Sequence, residues 1–303
     1  MANVLKTEKR LLVLRLLCEG SSIRSIARVT GVSKGTIIRY LQLFGNACKD
    51  FLDDRLQGLN LRHVEVDEVW TFCGKKQARL TIDEKAERSD IGDIYLWTCL
   101  DADTKLLATY AVGKRSADMA RRLMTDLASR MNRPKPHASD DHAYQTGQYT
   151  ITTRISTDGF AGYPEAVDLA FGPYAEYGQL IKQYRNAGMA YDPSEMVGTK
   201  RTVIKGTFNA RDICTSHVER NNGTIRHLVK RFTRLTCAFS KKFDCLAAAV
   251  GMFAAYYNFC WRTRHSDDSG QAGRQRVTAA MAAKVTDRLW SFQDLYNAVI
   301  QYG

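Results

Sequence analysis

Along the first 60 residues the apolar positions recur at helical spacing. Leucines at 5, 11, 12, 14, 16 and 17 form one stripe, which stops at Glu19-Gly20, where glycine suits the left-handed end of a helix. In "SSIRSIARVTG", Ser21 or Ser22 can cap a second helix that turns Ile23, Ile26 and Ala27 inward and ends at Gly31. A third begins in "SKGTIIRYLQLF", with Ser33 as cap, Ile37, Ile38 and Leu41 inward, and Lys34, Thr36 and Arg39 outward. Residues 45–62 extend it towards a boundary at Gly58. Two short helices joined by a glycine-containing turn predict a helix-turn-helix, whose second helix would enter the major groove. A plain helical bundle yields the same spacing, and Lys34 and Arg39 could meet bases or phosphates.

From residue 61 the period shortens. "LRHVEVDEVWTF" alternates, with Val64, Val66 and Glu68 on one side and Glu65, Asp67 and Val69 on the other, which predicts a strand. Two apolar runs over 93–113 flank Asp101-Ala102-Asp103-Thr104, a hairpin in which the aspartates shape the turn. A helix over 116–131 is capped by Ser116 and packs through Met119, Leu123, Leu127 and Met131. Residues 150–159 form a strand ending at Asp158-Gly159, 162–172 a short helix with Pro164 near its start, and 177–184 a fifth strand. Residues 185–213 read as an irregular insertion, 215–231 as an amphipathic cationic helix and 245–261 as a buried helix.

This order, a three-strand meander, helix, strand, helix, strand, insertion and two long helices, is that of the RNase H-like fold. The expected class is α/β: a mixed sheet with flanking helices, preceded by an all-α helix-turn-helix domain. Composition agrees with a globular chain, 45% hydrophobic and 25% charged over 303 residues. The 44 Lys and Arg against 32 acids leave a net charge of +12, the field of a polyanion binder, so nucleic acid is the expected partner. No apolar run suits a bilayer span and the first residues lack a cleavage site, which predicts a cytoplasmic protein. The eight cysteines never form Cys-x-x-Cys, so neither a zinc ribbon nor a disulfide framework is expected. Cys214 and His217 are near in sequence but lack a third orienting group, and "GVSKGT" lacks phosphate-loop spacing, so ATP is not implied.

In that fold the first strand is central, the fourth lies beside it and a late helix crosses their ends. One acid from each would then converge: Asp67, Asp158 and Glu219. Gathered carboxylates repel unless cations neutralise them, and hard oxygen donors suit Mg²⁺ or Mn²⁺. Two such ions can clamp the attacking and leaving oxygens of a phosphoryl displacement, which is nuclease and strand-transfer chemistry. Helix geometry puts Asn222, Gly223 and Arg226 on the face of Glu219 and His217 well off it. Arg226 is thus a candidate grip for phosphate and Asn222 a candidate partner for DNA or water. Lys230, Arg231 and Arg234 extend the positive surface, although a solvated basic face produces the same run.

The segments "VDEVWTF", "STDGFAGYPEAV", "TSHVERNNGTIRHLVKRFTRLTCAFSKK" and "RVTAAMAAKVTDRLWS", in this order behind the helix-turn-helix, resemble bacterial DDE transposases of the insertion-sequence-one type over nearly the whole chain. The resemblance implies Asp67, Asp158 and Glu219 as the catalytic, metal-binding triad and Arg226 as the basic residue that follows it. It also implies two Mg²⁺ ions, with Mn²⁺ able to substitute, and metal-dependent cleavage and strand transfer on double-stranded DNA at terminal inverted repeats and target. A homo-oligomer, at least a dimer, and a nucleoid-associated setting follow from the same likeness. The DNA contacts expected are Ser33, Lys34, Thr36, Arg39, Asn222, Arg226, Lys230, Arg231 and Arg234.

Three domains are expected. Residues 1–60 are the helix-turn-helix with its helical linker, and 61–263 the catalytic domain, with insertions near 133–149 and 185–213. Residues 264–303 are a flexible link and C-terminal helices docked by Met281, Leu289, Trp290, Phe292 and Leu295. The chain departs from some relatives in lacking a cysteine-rich finger, and Asp140, Asp141 and His142 read as an exposed polar loop rather than a metal site. The alternative function is a domesticated DNA-binding regulator that works mainly through the helix-turn-helix.

Overall fold

The computed structural model describes residues 5–132, 153–185, 195–234, 236–263 and 276–303. Three helices open the chain, α1 (Thr7–Cys18), α2 (Ile23–Thr30) and α3 (Lys34–Arg55). Ser22 accepts from the Ser25 backbone N–H and Ser33 from that of Thr36, which satisfies helix-start donors that would otherwise lack partners. Gly31 takes φ 69°, a conformation that costs glycine no Cβ clash. Val13, Ile26, Val32 and Ile37 make this unit's own small core.

The third helix does not stop with that unit. Its second half enters the main core through Phe44, Cys48, Phe51 and Leu52. It crosses α8 (Phe243–Phe259) backbone to backbone: a Cβ on Gly45 would stand 2.1 Å from the Ala248 carbonyl oxygen, and one on Gly251 2.5 Å from that of Gly45. Two glycines on facing helices therefore set the spacing. Phe44 also stacks on Tyr296 of α10 (Phe292–Val299), which follows the short α9 (Ala279–Ala282). Of the expected docking residues Trp290, Phe292 and Leu295 are buried, and Met281 and Leu289 half-buried.

The body of the protein is a six-stranded mixed sheet in the order β3-β2-β1-β4-β5-β6, consistent with an RNase H-like fold carrying one further edge strand. The strands are β1 (His63–Cys73), β2 (Gly92–Asp101), β3 (Leu107–Gly113), β4 (Thr153–Thr157), β5 (Ala175–Arg185) and β6 (Glu195–Lys205). β1 pairs antiparallel with β2 and parallel with β4, β4 pairs parallel with β5, and β6 returns antiparallel along β5. The remaining helices are α4 (Ile82–Glu87), α5 (Ala117–Arg130), α6 (Tyr163–Phe171) and α7 (Ser216–Leu228). At the β2-β3 turn, Asp101 accepts from the Thr104 N–H at 2.9 Å and its hydroxyl at 2.6 Å, the turn-shaping role expected of it.

Two expectations need correction, and one helix was not expected at all. Part of the 185–213 stretch read as irregular is strand β6, whose exposed edge position removes the alternation that would have announced it. The segment 82–87, read as nothing, is a helix closed by a Thr81–Glu84 capping box. The cationic helix ends at Leu228 instead of running to 231, because Val229 takes an extended conformation and Lys230–Phe232 form a 3-10 turn. Asp140, Asp141 and His142 and almost all of the 264–276 link lie outside the described residues. Among the described residues no helix is long and apolar enough to cross a membrane.

Candidate active site

Strand register brings the two aspartates together. Parallel pairing matches Val66 of β1 with Thr157 of β4, so the next residue of each strand, Asp67 and Asp158, adjoin where β4 ends. Alternation sends Asp67 and Glu68 to opposite faces of β1. Both can approach Asp158 because it lies past the last paired residue of β4, at the end of the sheet. Carboxylate oxygens of Asp67, Glu68 and Asp158 lie within 4.8 Å of one another.

Glu219, on α7, lies outside that 4.8 Å group but near enough for its charge to act on Asp67. Its Oε1 lies 2.6 Å from Nζ of Lys182, on β5, and accepts from the Thr215 hydroxyl at 2.6 Å. One turn along the same helix, Asn222 Nδ2 donates to Asp67 Oδ2 at 2.7 Å, tying α7 to β1. Arg115, just before α5, bridges the other side, with Nη2 3.1 Å from Asp158 and Nε 3.3 Å from Glu68. Its guanidinium sits 4.3 Å over the Phe160 ring, and the Phe160 N–H in turn holds Asp158 Oδ1 at 2.9 Å.

Burial and neighbouring negative charge raise Asp67 and Glu68. Asp67 is pushed up to about 6, first by burial and then by the charges of Asp158 and Glu219. Glu68 is pushed up to about 7, first by burial and next by Asp158, against the Tyr163 hydroxyl, 2.5 Å away, and Arg115. Burial opposes the charge on Lys182, but its hydrogen bond and attraction to Glu219, with Asp67 adding, leave its pKa raised.

Three carboxylates gather, with Glu219 near Asp67, against the cations Arg115 and Lys182. The donors are all oxygens, which suits a hard divalent ion such as Mg²⁺ or Mn²⁺ better than a soft one. Asn222 Oδ1 and Arg226 Nε, on the helix that carries Glu219, are buried without hydrogen-bond partners, so the site has polar capacity left for a ligand. These residues fit the ions expected from the sequence.

The expected DNA contacts divide. Lys34 and Arg39 are exposed on α3 and Thr36 half-buried, while the Ser33 hydroxyl caps its own helix and lies 2.9 Å from that of Thr36. Arg226 is half-buried, and burial and then Arg234 hold its pKa down, with Asp67 pulling the other way. Lys230 and Arg234 are exposed. Asn222 is buried and spends its amide N–H on Asp67, so its place is within the acid cluster rather than on a DNA surface. Arg231 likewise turns inward and donates to Ser240 Oγ at 2.7 Å, because the helix ends before it.

Sequence reasoning missed Glu68, Arg115 and Lys182. The doubled acid of "VDEV" was visible, but alternation assigned Glu68 to the far face. Nothing local marks Arg115 or Lys182, which reach the site only through the placement of α5 and β5.

Residues 5–48 match the family model of a homeodomain-like domain, spanning α1, α2 and most of α3, and the match supports DNA binding by this unit. No curated protein matches the chain.

Proposed function

We propose that this protein is a DNA transposase of the insertion-sequence-one type, which binds the terminal inverted repeats of its element and catalyses strand cleavage and strand transfer. The observation that carries the reading is the meeting of Asp67, Glu68 and Asp158, with Glu219 beside them, on a chain that also bears a homeodomain-like reader. Asp67, Asp158 and Glu219 would hold two Mg²⁺ or Mn²⁺ ions. When bound, such ions supply Lewis-acid stabilisation of the attacking and leaving oxygens of an in-line phosphoryl displacement.

The chain's own residues set the stage for that displacement. Asn222 orients Asp67 through its Oδ2, and Arg115 and the Phe160 N–H orient Asp158 through its Oδ2 and Oδ1. Arg226 lies on the helix face of Glu219 with an unpartnered Nε, suited to a non-bridging phosphate oxygen. Lys34 and Arg39 would hold the duplex, and synapsis of two ends would require at least a dimer.

The test uses purified full-length chain, Mn²⁺ and duplexes carrying the inverted repeat found beside the gene. Asp67→Asn, Asp158→Asn and Glu219→Gln should keep the gel shift and lose cleavage on the order of 10³-fold, the equivalent of several kcal/mol of lost Lewis-acid stabilisation. Full activity in any one removes that residue from the site. Retarded migration without a nick by the native chain refutes the enzyme and leaves the DNA-binding regulator.

A further inference from the structure

Glu65 is a fully buried carboxylate two residues before Asp67 on β1. By strand alternation it shares the face of Asp67. It is fully engaged by the first turn of α7: Oε2 accepts the backbone N–H groups of His217 at 2.8 Å and Val218 at 2.9 Å, and Oε1 lies 2.7 Å from His217 Nδ1. These are N–H groups that a helix start leaves without internal partners, and a negative charge there also complements the helix dipole. Thr215, at the capping position, makes no side-chain cap and turns its hydroxyl to Glu219 instead, so the strand provides what the local sequence does not.

The same helix is fastened to the same strand a second time, by Asn222 on Asp67. The spacings agree. Two residues of strand advance about 6.6 Å and four residues of helix about 6 Å, so Val218 to Asn222 keeps step with Glu65 to Asp67. Between the fastenings sits Glu219, held in the turn whose N–H groups Glu65 accepts.

We propose that Glu65 is a positioning residue: it fixes the register of α7 on β1 and thereby places Glu219 and Asn222 against Asp67. This rests on the metal-centre reading above. The ligand atoms of Glu65, Cys214 and His217 also lie within 4.8 Å of one another, an arrangement that could hold a borderline ion such as Zn²⁺. The two backbone N–H groups of α7 on Oε2 and the His217 ring on Oε1 favour the fastening over an ion there.

The experiment compares full-length native chain with Glu65→Gln, Glu65→Ala, Glu219→Gln and the Glu65→Gln/Glu219→Gln double variant. Glu65→Gln keeps an acceptor but loses the charge. It should exchange the His217 and Val218 amides faster with deuterium and weaken Mn²⁺ binding, measured calorimetrically on folded protein, by about 10-fold, as for loss of a supporting partner of a metal ligand. Glu65→Ala should weaken it further, and if that variant does not fold, Glu65→Gln decides. Because Glu65 acts through Glu219, adding Glu65→Gln to Glu219→Gln should change Mn²⁺ affinity little, a non-additivity that general destabilisation does not produce. Mn²⁺ affinity identical in native and Glu65→Gln proteins overturns this proposal alone. A native chain that binds no Mn²⁺ overturns the metal-centre reading and this proposal with it. Stoichiometric Zn²⁺ binding abolished by Cys214→Ser makes the cluster a metal site and overturns the clamp.

Discussion

Replacing Glu68 by glutamine should make the metal-free protein more stable at alkaline pH while changing it little at acid pH. In the fold, burial and the neighbouring Asp158 raise this carboxyl from 4.5 to about 7. The native state therefore binds more protons than the unfolded chain between those values, and the stability contributed by the neutral form, fully present below the unfolded pKa, is lost as pH rises through the folded one. The shift from 4.5 to about 7 corresponds to about 3 kcal/mol at 1.36 kcal/mol per unit. The side chain is only 4% exposed, so solvent screening does not erode this figure. Glutamine keeps the shape of the neutral acid and cannot ionise. Urea unfolding of native and Glu68→Gln chains in EDTA, at pH 5 and pH 8, should show the variant gaining about 2 to 3 kcal/mol relative to native at the higher pH. A native-minus-variant difference that is the same at both pH values would refute the account of the acid cluster as repelling groups confined by burial.

Other outcomes follow from the same geometry. Lys182→Met frees Glu219 from a cation 2.6 Å away; Mn²⁺ should bind more tightly, by about fivefold at most since the pair is half-exposed, and calorimetry showing weaker binding would count against Lys182 as a competitor for that oxygen. Lys34→Ala and Arg39→Ala on the exposed face of α3 should each lower the log-log salt slope of duplex binding by about 0.9 if they meet phosphates; fluorescence anisotropy over a salt series reads this, and an unchanged slope in both removes them from the interface. Gly45→Ala drives a methyl to 2.1 Å from the Ala248 oxygen, so thermal unfolding should report a loss of about 1–3 kcal/mol or more. An unchanged melting temperature would mean that α3 and α8 separate without cost.

Much of this protein is legible without coordinates, for a physical reason. Helix and strand periods are local properties, and the caps at Ser22, Ser33 and Ser116 and the turn at Asp101 depend on residues two or three positions away. The α/β class, the three N-terminal helices and five of the six strands follow from such signals. Asp67 and Asp158 stood out because the RNase H-like order of elements puts the first and fourth strands side by side. Edge strand β6, in contrast, carries no alternation to read, since neither face of it is buried.

What the chain alone could not reveal depends on register and on distant backbone. Whether Asp158 adjoins Asp67 is decided by Val66 pairing with Thr157, and a slip of one residue would have parted them. Glu68 joins the cluster only because β4 stops at Thr157, and Lys182 only because β5 continues past it. Asn222 and Arg231, both read as DNA contacts, were turned inward by the packing of α7 on β1 and by its early end. Local sequence signals marked most helices and strands, β6 and α4 excepted, and drew attention to Asp67, Asp158 and Glu219. The tertiary structure decided which side chains share a charge environment, because burial and electrostatic coupling arise between groups far apart in sequence.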